Sequence, residues 1–125
     1  MKILIPSSAG DLIDRITILE IKLLYFTDHA KIANTKKHLT ELKKIYKTLP
    51  KSKALRKLHL TLFTINKRQW QLEDKVRIYL RKKEWEKAAK HSGLVHKSNA
   101  KRIATKQKID EHIGSTLRDE KHYAQ

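Results

Sequence analysis

Between Gly10 and Phe26, apolar residues recur at intervals of three and four, which is the spacing of one face of an α-helix. One stripe consists of Leu12, Ile16, Leu19, Leu23 and Phe26, and the neighbouring stripe consists of Ile13, Thr17, Glu20 and Leu24. A helix that is apolar on most sides is normally covered by other elements, so this segment is predicted to be the central helix of the fold. Glu20 lies between apolar neighbours, and a carboxylate there requires a partner.

The pattern after Phe26 predicts three further helices. An amphipathic helix over roughly 29–48 is expected to pack one face against the first helix as a hairpin. A long third helix is predicted over about 52–84 and a fourth over about 94–113, and the segment 87–93 is expected to separate them.

The ends of the chain are predicted to be irregular. Residues 2–5 should form a short extended arm, because Pro6 disfavours helix in the residue before it. Gly114 is expected to end the fourth helix, and the tail from Thr116 is expected to have no regular structure. The predicted fold is therefore all-α, a small bundle of about four helices in a single domain, 1–125.

The third predicted helix carries a stripe in alternating steps of three and four, which is typical of a coiled-coil seam. Its members are Leu55, Leu58, Leu62, Ile65, Gln69, Leu72, Val76 and Leu80. Gln69 is the polar member of the seam, and such a residue fixes register at a cost in stability. The seam predicts a homo-oligomer that forms through this helix.

Polar side chains occupy core-type positions on three predicted helices. They are Thr17 and Glu20 on the first, Asn66, Gln69, Glu73 and Arg77 on the third, and Asn99, Arg102 and Lys106 on the fourth. In one interpretation they form a structural network, in which Glu20 and Glu73 pair with the cations of the fourth helix. In a second interpretation they form a site for a small anionic ligand. In a third, these stripes face solvent.

The ligand-site interpretation assigns roles to these residues. The ligand-binding candidates are Asn66, Gln69, Arg77, Asn99, Arg102 and Lys106. If the protein is instead an enzyme acting on an anionic metabolite, Glu20 or Glu73 is the candidate catalytic base. No metal or cofactor is expected, because the chain has no cysteine, no His pair four residues apart and no Gly-rich phosphate loop.

The net charge of +16 predicts attraction to polyanions. The 22 lysines greatly outnumber the 7 arginines and are spread over several helices, so the charge indicates either a solvated surface or weak, non-specific binding of nucleic acid or another polyanion. Every apolar run is far shorter than the roughly 20 residues of a membrane helix. The apolar start before Pro6 is too short for a secretory signal. We therefore expect a cytoplasmic protein without membrane insertion.

The opening sequence PSSAGDLIDRITILEIK, residues 6–22, resembles the signature of an uncharacterised bacterial family, Pro-x-Ser-x-Gly-Glu-Leu-Ile-Asp-Lys-Ile-Thr-Ile-Leu-x-Ile-Lys. The match continues at Asn66, Trp70, Glu73, Asp74, Arg77, Val95, Asn99, Arg102, Lys106, Gly114, Ser115, Glu120, Lys121 and Tyr123, so it spans nearly the whole chain. Asp11 replaces the usual Glu, and Ala100 stands where Asp is common, so a role for that second acid does not transfer to this chain.

The resemblance implies an all-helical cytoplasmic protein without assigned activity. It also implies a gene context near glycosyltransferases and surface-polysaccharide functions, and hence a sugar-related substrate if the protein is an enzyme. A bundle with Arg, Lys, Glu and Gln directed to its centre is similar in site design to the all-α chorismate mutases, although their catalytic sequence pattern is not reproduced.

Overall fold

A computed structural model of the chain describes residues 1–114, which contain four α-helices and no strand. Helix α1 spans Ala9–Tyr25, α2 spans His29–Tyr46, α3 spans Lys53–Arg81 and α4 spans Trp85–Ile113. Residues 1–8 form an arm without helix or strand, and its Lys2 lies 2.7 Å from Glu41 on α2. The predicted all-α bundle with an N-terminal arm is confirmed. The predicted tail from Thr116 and the family match at 115–123 lie outside the described residues.

Side-chain caps fix where the first three helices begin. The capping residues are Ser8, Asp28 and Ser52, and each accepts a hydrogen bond of 3.0 Å from the backbone N–H three residues further on. These bonds satisfy backbone donors that have no partner inside the helix. Gly114 ends α4 in the left-handed conformation, with φ 75°, as expected for a glycine after a helix.

The interruption predicted at 87–93 is wrong, because α4 begins at Trp85 and continues through Gly93. A Cβ added at Gly93 would meet no atom within 4 Å, so this glycine is neither a turn nor a close contact. One glycine in a helix costs only about 1 kcal/mol relative to alanine. The packing of α4 along α3 outweighs that cost, and the chain reverses at Lys82 and Lys83 instead.

Two apolar clusters lie on opposite sides of α1. The first contains Ala9, Ile13, Leu55, Leu62 and Ile109 and joins α1 to α3 and α4, whereas the second contains Leu12, Ile16, Leu19 and Leu39 and joins α1 to α2. Helix α1 contacts all three other helices, and α2 packs mainly against α1, with Tyr46 at its end contacting His59 of α3. The predicted central position of the first helix is therefore confirmed.

The apolar stripe of α3 is used mainly inside the chain. Leu55, Leu62 and Leu72 are buried, and α3 packs along the length of α4 and against α1. Towards the end of the stripe, Leu80 is exposed. The homo-oligomer expected from this stripe remains a prediction.

Candidate anion-binding cleft

The first turn of α1 lies directly on α4 because residue 10 is glycine. A Cβ at Gly10 would stand 2.5 Å from the backbone oxygen of Lys106 and 2.9 Å from Oδ1 of Asp110, so no larger residue fits. The Gly10 N–H donates a hydrogen bond of 2.6 Å to Asp110 Oδ1, and the Asp110 side chain is fully buried. This contact sets how far α1 and α4 are shifted along one another.

That shift places Asp14 of α1 opposite Arg102 of α4. Asp14 Oδ1 accepts from Arg102 Nε at 2.9 Å, and Asp14 Oδ2 accepts from Arg102 Nη2 at 2.6 Å. The Asn66 amide donates to Asp14 Oδ1 at 2.9 Å and to the Thr17 hydroxyl at 2.8 Å. A two-point bond between a guanidinium and a carboxylate is directional, so Asp14 fixes the orientation of Arg102.

A second ion pair lies one helical turn away. Lys106 Nζ is 2.8 Å from Asp11 Oδ1, and Lys106 is buried although it carries a charge. The two cations are four residues apart on α4 and the two acids are three residues apart on α1, so each set lies on one helical face. Because α1 and α4 run in opposite directions, the earlier acid, Asp11, pairs with the later cation.

These two ion pairs form one wall of a cleft of about 480 Å³. The cleft is lined by Asp11, Asp14, Arg15, Ile18, Leu19, Lys22, His38, Arg102 and Lys106. Helix α2 supplies His38, and α1 supplies Arg15 and Lys22. Among residues 1–114, the lining contains four Lys or Arg side chains and two carboxylates, which is an excess of positive charge at neutral pH.

Asp110, beneath the first turn of α1, has a carboxyl pKa above its usual value. Burial raises the pKa of its carboxyl, whereas the Gly10 N–H and the Ser8 hydroxyl favour the charged form. The nearby charge of Asp11 also raises this pKa, and the charge of Lys106 lowers it. Oδ2 of Asp110 has no hydrogen-bond partner among the described residues. Desolvation is the dominant influence on this group.

The predicted pairing of Glu20 with Arg102 and Lys106 is wrong. Glu20 Oε1 lies 3.3 Å from Nε2 of His59 on α3, and its side chain is 31% exposed. Glu20 is six residues beyond Asp14 along α1, about 9 Å at the rise of an α-helix, and Asp14 and Asp11 occupy the positions opposite the cations. Glu20 and His59 instead line a separate, more apolar cleft of about 460 Å³ with Tyr46, Arg56, Leu60 and Phe63.

The ligand-binding and catalytic candidates on α3 do not lie together in one site. Arg77 is exposed and pairs with Asp74 one turn earlier on the same helix, so it does not reach the polar cluster. Glu73 is half-buried and accepts a long hydrogen bond of 3.4 Å from the amide of the buried Gln69. Of the α3 candidates, Asn66 reaches the network around Asp14. Glu73 and Arg77 come after Gln71, whose amide donates a hydrogen bond to Tyr25 at the end of α1.

Asn99, the remaining candidate, is half-buried one turn before Arg102. It is not among the residues that line the cleft.

Sequence reasoning missed the acids of the cluster. Asp11 and Asp14 follow a helix cap, where an acid stabilises the positive end of a helix without any partner, so their positions alone do not indicate ion pairs. The available signal was the spacing itself. Acids three residues apart at the start of one helix and cations four residues apart near the end of another match an antiparallel pair of faces.

Comparisons with protein-family models, with curated proteins and with solved structures gave no significant match. Within residues 1–114, no helix combines the length and the apolar character needed to cross a bilayer. The same residues hold no group of three or more His, Cys, Asp or Glu side chains placed to bind a metal ion.

Proposed function

We propose that this protein binds a small anionic ligand, carrying a phosphate or a carboxylate, in the cleft between α1, α2 and α4. The observation that carries the proposal is the charge of the lining: among residues 1–114, Arg15, Lys22, Arg102 and Lys106 surround the cleft together with two carboxylates, Asp11 and Asp14. Both carboxylates are within ion pairs. An anion entering the cleft therefore meets a net attractive field.

The buried half of the cluster supports binding by holding the cleft in shape. Asp14, Asn66 and Thr17 connect α1 to α3, and Asp14 with Arg102 connects α1 to α4. A cleft whose cations are already oriented loses less conformational entropy on binding. The side chains at the mouth, Arg15 and Lys22, are more accessible and would supply the first contact with the ligand.

The proposal is for a binding or accessory protein rather than an enzyme. Glu20 and Glu73, the candidate bases, do not line this cleft, and the two acids that do are paired with cations. A general base must reach the proton that it removes. We infer that the protein acts in the cytoplasm as a binding module, consistent with its resemblance to an all-helical cytoplasmic family.

The residues of the family-like opening support the same site. Ser8, Gly10, Asp11, Asp14 and Thr17 all belong to the cap, the close helix contact or the ion-pair network. Asp11 and Asp14 of this opening also line the cleft. We propose that the opening is a ligand-site signature and that the chain is a member of this family.

Thermal unfolding in the presence of phosphate tests the proposal. With ligand at ten times its dissociation constant, stabilisation should reach about 1.4 kcal/mol, a rise of several degrees in Tm. Ionic strength must be held constant with chloride, because salt alone screens the repulsion among 29 Lys and Arg side chains. Sulfate and small carboxylates tested in the same way would define the preferred anion.

The double variant Arg15→Ala/Lys22→Ala should abolish the phosphate-induced rise without unfolding the protein, because neither residue belongs to the buried network. A matched control, Arg68→Ala/Lys75→Ala, removes one exposed Arg and one exposed Lys from α3. The control should keep the full rise. An equal rise in both variants, or no rise in the natural chain, would contradict the proposal.

A further inference from the structure

The paired helices α3 and α4 extend beyond the rest of the bundle. Tyr25, at the end of α1, stacks on Trp70 with ring centroids 5.5 Å apart and accepts a hydrogen bond from Gln71. Helix α3 continues for ten residues after Gln71, about 15 Å, and α4 returns beside it. We call residues 72–94 the hairpin arm. Only Leu72 and Ala88 are buried within it.

Large apolar side chains are exposed on both sides of the turn that ends the arm. Trp85 is 61% exposed, Leu80 is 47% exposed and Ile78 is 39% exposed. A tryptophan at such a position has no core to fill. Its indole combines an apolar ring with one N–H donor, which suits a boundary between water and an apolar phase.

The turn itself is cationic and has an unusual backbone. Lys83 has φ 58°, and hydrogen bonds run from Lys83 N–H to the Leu80 oxygen and from Glu84 N–H to the Tyr79 oxygen. This is the Schellman arrangement, in which the left-handed position is usually glycine. Lysine is strained there. The chain thus carries a third consecutive cation, after Arg81 and Lys82, at a position where glycine would be more stable.

We propose that the tip of the hairpin arm is a docking surface for an anionic lipid bilayer. Trp85 and Leu80 would enter the headgroup boundary, and Arg81, Lys82 and Lys83 would contact lipid phosphates and carboxylates. Tryptophan is enriched at that boundary, and each Lys or Arg near an anionic surface adds attraction. The acids Glu84 and Glu86 reduce the local charge, although Glu84 lies 3.7 Å from Lys87. The contact is peripheral, because no helix within residues 1–114 is long and apolar enough to cross the bilayer.

Two other occupants fit the tip less well. A second copy would bring like-charged turns together. Nucleic acid offers no apolar phase for Leu80 and Ile78.

Co-sedimentation with vesicles tests the proposal directly. The full chain should bind phosphatidylcholine vesicles that contain about 30% phosphatidylserine and should not bind pure phosphatidylcholine, because the attraction depends on surface charge. In a Trp70→Phe background, Trp85 is the sole tryptophan, and its fluorescence should shift to the blue as the indole leaves water. Binding should weaken steeply with salt.

Charge-reversing variants test whether the tip of the hairpin arm is the surface that binds vesicles. Lys82→Glu/Lys83→Glu should lower vesicle affinity at least about thirty-fold, because two favourable charges become repulsive. Lys36→Glu/Lys37→Glu makes the same charge change on α2, away from the arm, and should lower it only a few-fold. Lys83→Gly should melt higher than the natural chain yet bind vesicles more weakly, which separates a charge effect from unfolding.

Several results would overturn the proposal. One is an equal loss of vesicle affinity in Lys82→Glu/Lys83→Glu and in Lys36→Glu/Lys37→Glu. The others are no binding to anionic vesicles and a Trp85 fluorescence spectrum that does not shift when vesicles are bound. Trp85 quenching by single-stranded RNA without vesicle binding would assign the tip to nucleic acid instead. The phosphate-induced rise in Tm should be unchanged in Lys82→Glu/Lys83→Glu, so the two proposals fail independently.

Discussion

Replacing Asp14 with alanine tests whether the polar cluster holds α1 in place. Asp14 is 6% exposed and accepts two hydrogen bonds from the Arg102 guanidinium and one from the Asn66 amide. Alanine at this position removes the carboxylate that accepts both of these guanidinium hydrogen bonds. The variant should fold, because both apolar clusters remain intact, but it should be markedly less stable.

The size of the loss follows from the exposure of the two partners. Breaking a buried ion pair by removing one partner costs roughly 3–5 kcal/mol. The Arg102 side chain is 25% exposed, so water compensates part of its charge, and we expect about 3 kcal/mol. Asn66 keeps its hydrogen bond to the Thr17 hydroxyl, so the loss of its bond to Asp14 adds little to the fall in unfolding free energy. For a domain of this size the corresponding fall in Tm is about 10 °C.

Urea unfolding followed by circular dichroism measures this loss, and Asp74→Ala is the matched control. Asp74 also pairs with an arginine, Arg77, but both side chains are about half exposed, so removing it should cost less than about 1 kcal/mol. The double variant Asp14→Ala/Arg102→Ala should be more stable than the sum of the single losses implies. If Asp14→Ala unfolds at the same urea concentration as Asp74→Ala, the cluster does not stabilise the fold as described.

Four further changes have defined expectations, each measured by thermal or urea unfolding. Gly10→Ala should lose roughly 1–3 kcal/mol, because its Cβ would stand 2.5 Å from the Lys106 backbone oxygen; a neutral result would mean that α1 can move away freely. Gln69→Leu should gain about 1 kcal/mol, because the buried Oε1 of Gln69 has no hydrogen-bond partner within the described part of the chain; a loss would reveal one. Glu20→Ala should lose less than about 1 kcal/mol, since its pair is part-exposed. For Asp110→Asn the effect depends on pH. Burial raises the pKa of Asp110, so the contribution of Asp110 to the stability of the natural chain is lost as pH rises from the usual value of 3.8 through the raised pKa. The stability of Asp110→Asn relative to the natural chain should therefore rise over that window. A difference that is constant with pH would contradict this.

Helical periodicity was sufficient to predict the number of helices and the central place of α1. Stripes on two sides of one segment require neighbours on two sides, and the clusters around Ile13 and Ile16 are those neighbours. The caps at Ser8 and Ser52 are equally local features, since each hydrogen bond joins residues three apart. Such features depend on the sequence near them and on little else.

The membership of the polar cluster was predictable only in part. Periodicity shows which residues share a face, but it does not give the axial shift between two helices. That shift depends here on the contact of Gly10 with α4, a tertiary feature, and it brings Asp14 rather than Glu20 opposite Arg102. The break expected near Gly93 failed for a related reason, because long-range packing outweighed a weak local preference.

The central claim, that the cleft binds an anion, is tested most directly by a phosphate titration followed by ¹H–¹⁵N NMR at constant ionic strength. The account predicts saturable chemical-shift changes confined to the cleft, including the Arg102 Nε–H and the backbone of Arg15, Lys22 and His38. Shifts that are unsaturated and spread evenly over the lysine-rich surface, or no shifts in the cleft, would contradict it.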